Sequence, residues 1–525
     1  MKLLIKIISV IGSITFLSRI LGYLRDLMIA RYFGASFISD SFFVAFKLPN
    51  LFRRLFAEGA LNAAFIPVIS GIKVKHGDQD AVMFLSKIFS LVLLLIFPLI
   101  LIFEILMPFV IIGMAPGFQS DMSKFNLTVQ LSRLTFPFLL FVSLSSLLGS
   151  FLNTMNKFAA MAFTPVILNL IIITTFLTFG TKSGNALILS IYVASSISIA
   201  GVVQLLWLIF NLNREGIFLR IKHIFTLKIF QIDNYTKKLL YLFIPAVVGN
   251  GVYQINLLID MILASTLRDG SISFLYFSDR IVQLPLGVLG ISLSTALLPT
   301  ISKFIKQNKY NDANKTANFC LQLGFFFSIP ASFGLFLLSD QILDLLFVRG
   351  EFSAYDAQST AQSLRAFCIG LPAFILIKIF SVLFFSREDT KIPVLIAFLS
   401  MVVNLCFNLI LIDKFFHVGL AMATSIAAWF NAMILGMILV KKNFLIIKVQ
   451  TLKIFLKGLA CSIFMFLVIK YMNYIKVISY VNQAQFLEKF VVLFSNLLLG
   501  VLIYLILMYL FKSLYLINPK RHNYK

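Results

Sequence analysis

Nine charged side chains fall between Thr15 and Glu58, inside two stretches whose hydropathy otherwise reads as membrane helices. They are Arg19, Arg25, Asp26, Arg31, Asp40, Lys47, Arg53, Arg54 and Glu58. A charge near the bilayer centre costs about 2.5–3.5 kcal/mol on insertion scales. A chain that keeps several, mostly cationic, is expected to line a wet cavity with them, and a cationic cavity inside a membrane calls for an anionic cargo.

Spacing sorts these residues onto faces. In the first stretch Ser18, Gly22 and Arg25 lie at i, i+4 and i+7 on one helical face, with Arg19 and Asp26 seven apart beside it. Gly22 would let a neighbouring backbone or head group come close. Arg31 suits a helix end, from which it can snorkel. In the second stretch Pro49 removes a backbone hydrogen bond and is expected to kink the helix as a hinge. Asn50, Arg54 and Glu58 are spaced by four, so Arg54 can pair with Glu58 or face the cavity. Arg53 projects about 100° away and has no evident partner in its own helix. A third stretch, FLYFSDRIVQLPLGVLGISLS, places Asp279 and Arg280 just before Pro285, Gly287 and Gly290. Arginine suits phosphate because its guanidinium stays charged and grips two oxygens at once. Clustered arginines repel one another when empty, so a bound diphosphate would itself favour closure.

These residues must be carried by membrane helices. The 525-residue chain is 60% hydrophobic and only 13% charged, with mean hydropathy +0.97, which excludes a soluble domain of this size. Apolar spans are expected near 7–30, 38–66, 85–113, 128–152, 159–180, 186–210, 239–266, 272–302, 317–339, 357–385, 392–412, 417–440, 454–473 and 487–511, about fourteen in all. The fold class is therefore an all-α polytopic membrane protein. Net charge is +24. The Lys and Arg concentrate in the loops 71–84, 211–238, 303–316 and 441–453 and in the tail, which by the positive-inside rule puts both termini in the cytoplasm. The N-terminus reads as a first span, since no A-x-A cleavage site follows its apolar run.

A weak repeat organises the spans. AFIPVIS (Ala64 to Ser70) returns as ALLPTIS (Ala296 to Ser302), and Pro137 and Asn169 return as Pro372 and Asn404, 235 residues on. A period of six helices preserves orientation, so two parallel six-helix lobes are expected, related by an axis along the membrane normal. The expected division is a first lobe over 1–210, a cytoplasmic amphipathic linker over 211–238, a second lobe over 239–440, two extra helices over 454–511 and a cytoplasmic tail over 512–525. Two facing lobes imply a central cavity and alternating access.

Other chemistry is sparse. Cys320, Cys368, Cys406 and Cys461 lie in apolar segments without CxxC spacing, and the four histidines form no metal-ligand pattern. No phosphate-binding loop of the GxxxxGK[ST] type is present, so the chain is not expected to hydrolyse ATP or to be an enzyme. Asp260, Asn404, Asn408 and Thr424 offer oxygens that suit Na⁺. Asp260 could equally sit near the outer interface and pair with Arg268.

SRILGYLRD, FGASFISDSFFVAFKLPNLFRRLFAEGA, AFIPVIS, YFSDRIVQLPLGVLGISLSTALLPTIS, LFVRGEF and SREDTKIPV together resemble the MurJ (MviN) family of lipid II flippases, in the same superfamily as the MATE transporters. The resemblance covers essentially the whole chain, with 454–511 less distinctive. It implies a MATE-like arrangement of the lobes and a location in the bacterial inner membrane. It also implies a cargo, the undecaprenyl-diphosphate-linked disaccharide-pentapeptide of peptidoglycan synthesis, moved from the cytoplasmic to the outer leaflet. Carried over by motif, the family's cavity residues are Arg19, Arg25, Asp26, Arg53, Glu58 and Arg280, with Asp40 also implicated. The helices over 454–511 would take the lipid tail in a groove. Asp260, Asn404, Asn408 and Thr424 would form a sodium site, although some members have an acid where this chain has Asn408. Other cell-wall synthesis proteins are the expected protein partners. Three alternatives share some of these features: a flippase for another prenyl-diphosphate oligosaccharide, a cation-coupled drug exporter of the MATE type, and a scaffold that transports nothing. The arginines oppose a cationic drug, and the costly buried charges oppose a scaffold.

Overall fold

A computed structural model describes the chain except for residue 1 and residues 55–60, 183, 220–232, 481–485, 514–515 and 517–525. Glu58 and most of the expected linker therefore lie outside the described residues.

The described chain is nearly all helix. Its elements are α1 (Lys2–Phe33), α2 (Phe37–Phe52), α3 (Asn62–His76), α4 (Asp78–Met114), α5 (Met122–Thr135), α6 (Phe138–Thr154), α7 (Phe158–Ala162), α8 (Thr164–Phe179), α9 (Ala186–Arg214), α10 (Asn234–Ser265), α11 (Ser271–Pro285), α12 (Ser292–Lys306), α13 (Tyr310–Phe347), α14 (Ala354–Phe385), α15 (Lys391–Lys441), α16 (Val449–Tyr480) and α17 (Phe486–Leu510). Ten helical segments among the described residues are long and apolar enough to cross a membrane. Several expected spans change helix type along their length. In the stretch 38–66 the backbone turns π-helical at Arg53 and Arg54, and residues 55–60 lie outside the described part. The stretch 272–302 is one membrane-length helix, Ser271–Lys306, in which α11 passes into α12 through a π-helical segment, Leu286–Ile291, that begins right after Pro285. The two spans expected near 392–412 and 417–440 are two helices within α15, separated at Phe416, whose φ 51° and ψ −130° are not helical.

The chain separates into two compact units. The first holds residues 1–273 together with 349–352, and the second holds 274–348 with 353–525. Sequence places the start of the second lobe at 239, but α10 packs with the first unit, against α3 and α4. Three contacts hold it there. Asp233 caps the start of α10 by accepting from the Thr236 amide at 2.7 Å, and it also accepts from Lys87 of α4 at 2.8 Å. Tyr235 bonds His76 of α3 at 2.7 Å. At the far end the Gly117 amide donates to Ser265 Oγ at 3.2 Å.

Apolar burial holds α3, α4, α6, α9 and α10 together around Phe65, Phe84, Leu85, Leu148 and Leu208. The opposite face of α4 stays exposed, with Ile105 and Phe109 more than two-thirds accessible. In a membrane-spanning helix that face meets lipid.

Candidate functional site

The first group forms where α1 meets α8. Arg25 and Asp26 are both buried. Arg25 donates through Nε and Nη2 to Asp26 Oδ1 at 3.0 and 2.7 Å. Its third donor, Nη1, reaches Asn169 Oδ1 at 3.1 Å, and Asn169 in turn donates to the Ser18 carbonyl at 3.1 Å. The guanidinium also stands over the Phe46 ring, 5.9 Å from its centroid. Hydrogen bonds to charged groups are worth about 1.5–3 kcal/mol each, so α8 fixes the orientation of Arg25. A Cβ at Gly22 would lie 3.5 Å from Asn169, an ordinary contact. The α1–α8 approach at this point would therefore admit a Cβ. Arg19, Arg31 and Arg54 are exposed.

Asp40 does something different from the cations near it. Its carboxylate is fully buried and accepts from the Gly270 amide (2.8 Å), the Ser273 amide (2.9 Å) and the Ser273 hydroxyl (2.7 Å). Gly270 and Ser273 belong to the first unit, so Asp40 ties together two segments of that unit 230 residues apart. Lys124 completes the group. It lies 3.4 Å from Asp40 and 2.6 Å from Asp269, over the Phe118 ring at 4.0 Å. In this arrangement Asp40 is occupied as an anchor.

Arg53 is half-buried and donates from Nε to Asn50 Oδ1 at 3.0 Å. This corrects the expectation that its own helix offers no partner. Residues i and i+3 share a face, and Asn50 serves Arg53 although its four-residue spacing pointed to Arg54. Arg280, in the second unit, donates to the Tyr276 hydroxyl at 2.8 Å and lies 5.0 Å from that ring's centroid. Pro285 ends α11 at the π-helical segment, and Pro49 lies inside α2, four residues before Arg53. Both expected hinge prolines thus fall beside breaks, and π-segments are common at functional sites.

The expected sodium ligands divide between the units. Asp260 is half-buried in α10 of the first. In the second, Asn408 Nδ2 donates to Asn404 Oδ1 at 2.7 Å and Asn404 Nδ2 donates to Thr424 Oγ1 at 3.3 Å. Thr424 passes its own hydrogen to the Leu420 carbonyl at 3.0 Å. Asn404 Oδ1 and Thr424 Oγ1 are thereby taken by amide hydrogens. No group of three or more acidic, His or Cys side chains suited to a metal occurs among the described residues.

Sequence reasoning missed Asn169, Lys124 and the turn Arg349–Phe352. Asn169 stood out only as the repeat mate of Asn404. The turn carries part of LFVRGEF and docks on the end of α1, where the Glu351 amide donates to the Arg31 carbonyl at 2.9 Å. Glycine is required on both sides. Gly34 and Gly350 each take φ +61°, and a Cβ would meet Glu351 O at 2.5 Å or Arg31 O at 2.2 Å.

The helix order, the paired breaks and the buried cationic group define a polytopic membrane transporter. Its fold is shared with a solved structure described as an inward-facing multidrug resistance MATE family transporter of the MOP superfamily. That match has TM-score 0.68 at 14% identity, covering 83% of this chain and 97% of the other. A solved structure described as "Lipid II flippase MurJ, inward closed conformation" matches with TM-score 0.79 at 29% identity, covering 95% of this chain and 98% of that one. The sequence profile "Lipid II flippase MurJ" matches residues 29–491. Curated relatives named "Probable lipid II flippase MurJ" include one from Rickettsia prowazekii (strain Madrid E), 38% identical over 96% of this chain and 97% of its own. Another, from Haemophilus influenzae, is 36% identical over 80% and 83%. The chain belongs to the MurJ family of lipid II flippases.

Proposed function

We propose that this protein carries lipid II, the diphosphate-linked peptidoglycan precursor, from the cytoplasmic to the outer leaflet of the inner membrane by alternating access. The full-length match to proteins named as lipid II flippases carries the reading. The residues supply a mechanism. Arg19, Arg25, Arg53 and Arg280 bind the diphosphate and sugar head in turn, Arg25 being pre-oriented by Asp26 and Asn169. The prenyl tail stays in lipid, because each buried CH₂ is worth about 0.8 kcal/mol. Fourteen crossings in two six-helix lobes, with both termini cytoplasmic, fit this cycle, and α16 and α17 offer the tail a surface. The π-helical turns at Arg53–Arg54 and Leu286–Ile291 offer the two helices places to bend. An inside-negative potential contributes about 2.3 kcal/mol per charge per 100 mV and drives the anionic head outward. Sodium is given no step.

Replacing Arg280 with Ala, in protein that still accumulates and inserts, is expected to lower the appearance of lipid II in the outer leaflet by about a hundredfold, as the loss of a charge-assisted phosphate contact implies. Normal outer-leaflet lipid II in cells relying on that variant refutes the assignment.

A further inference from the structure

One acidic side chain within the membrane-spanning part of the first unit has no role in this mechanism. Glu104 sits in α4, ten residues before its end. Ile100, Met107 and Ile111, on the same face, are all buried, so Glu104 points inward rather than toward lipid. Its Oε1 is shut off from solvent and meets no hydrogen-bond partner among the described residues. Arg133 of α5 comes close, but Nε donates to the backbone carbonyl of Glu104 at 3.1 Å. No ion pair joins the two side chains among the described residues. The neighbouring Phe103 stacks on Phe136 at 5.2 Å, and Phe52, the residue before Arg53, meets both edge-on at 5.5 and 5.9 Å. Glu104 thus follows directly on Phe103, a member of the aromatic cluster at the end of α2.

Charge around it is sparse. Arg133 is the charged group that acts on it. Neither α6 nor the turn Pro116–Ser120 carries any charge. The α3 charges Lys73, Lys75 and His76 fall in that helix's last turn. On α10, Lys237 and Lys238 lie in the opening turns, and Asp260 is an acid. An ionised carboxylate with an oxygen lacking any donor is strongly disfavoured in such surroundings. A carboxylic acid there is not.

We propose that Glu104 is a proton-binding site: its carboxyl carries a proton in the flipping-competent protein, and losing that proton disturbs the Phe52–Phe103–Phe136 packing that holds the α2 break. The ligand is the proton, and it is bound at a residue separate from the diphosphate-binding arginines. The regulatory half rests on the flippase reading, whereas the proton site does not, and the test separates them.

Infrared spectra of the protein in lipid vesicles read the site directly. At neutral pH a protonated-carboxyl C=O band that shifts in D₂O is expected, with its contribution missing from Glu104→Gln. An unchanged band in that variant, or no such band in the native protein, overturns the proposal. Should that variant fail to accumulate, Glu104→Ala is read in the same way, since a band belonging to Asp40 or another carboxyl would persist in it. In the same vesicles, flipping of lipid II by the native protein is expected to fall about tenfold per pH unit above the carboxyl's titration point. Glu104→Gln is expected to stay nearly flat over that range. Matching pH profiles for the two proteins overturn the coupling even where the infrared band is present.

Discussion

The two broken helices invite comparison. The α2–α3 pair of the first unit and the α11–α12 pair of the second each carry a proline near the break, π-helical backbone at it, and a closing P-x-I-S sequence, at Pro67 and Pro299. Their chemistry has diverged. The first turn of α2 holds an acid, Asp40, while that of α11 holds none. The first pair has Arg53 and Arg54 at the break, and the second has a single Arg280 ahead of it, leaning on a tyrosine. The same difference reaches the repeated asparagines. Asn169 receives a charged donor from Arg25, whereas Asn404 sits in a neutral chain with Asn408 and Thr424. The two π-helical stretches supply two places to bend. Charge was placed mainly on one of them, so the first unit acts as the anchored and ionic side.

Removing Asp40 tests that asymmetry hardest. Asp40→Ala leaves the buried amides of Gly270 and Ser273 without an acceptor, and Lys124 keeps only Asp269. A loss of about 3 kcal/mol is expected, read as a clear drop in the thermal midpoint of detergent-solubilised protein, with Asp40→Asn recovering part of it. An unchanged midpoint removes the anchor from the comparison.

Sequence made some of this visible, for identifiable reasons. Gly22, Arg25 and Asp26 were legible because helical spacing is local. The prolines at 49 and 285 marked where backbone bonds are lost. Local spacing could not show that Asn169, 144 residues away, orients Arg25, or that Lys124 joins Asp40. The Asn50–Arg53 bond was within reach at i+3, but the stronger four-residue pattern hid it. The membership of α10 was misplaced because the repeat assigns it by count, while Lys87, His76 and Gly117 hold it by contact. The turn Arg349–Phe352 belongs to the first unit although its flanking helices belong to the second. No reading of the intervening sequence predicts such a docking.

The asparagine pair offers a second test. Asn169→Ala takes an acceptor from a buried guanidinium and is expected to cost about 2 kcal/mol, against about 1 kcal/mol for Asn404→Ala, which breaks only neutral bonds. Flipping should follow the same order, since Asn169 orients a cargo residue and Asn404 does not. Equal losses in unfolding and in flipping would return the two sites to equivalence and leave the charge on Arg25 without energetic weight. A larger loss at Asn404 would mean its amide chain serves a purpose that hydrogen bonding alone does not supply.

The smallest expected effect concerns what fastens the first unit to α10. Burial opposes ionisation of Asp233, but the hydrogen bonds from Lys87 and from the amide and hydroxyl of Thr236 outweigh it and hold the carboxyl below the usual range. The folded state therefore releases this proton more readily than the unfolded chain does. Its contribution is complete at neutral pH, remains so down to about pH 4, and disappears as pH falls through the folded value. Asp233 is half exposed, so solvent screens it and about half a kcal/mol or less is at stake. Acid unfolding of Asp233→Asn against the native protein measures it: the two curves should differ slightly at neutral pH and converge as pH falls through the folded-state titration of Asp233. The second unit fastens its corresponding loop differently. Asn318 accepts from the Lys448 amide at 2.9 Å and from Thr451 at 2.7 Å, and donates to the Ile446 carbonyl at 2.8 Å. An Asn318→Ala variant should accordingly show a loss that does not change with acid. An acid-dependent loss there would erase the distinction between an ionic first unit and a neutral second one at the level of the loops as well.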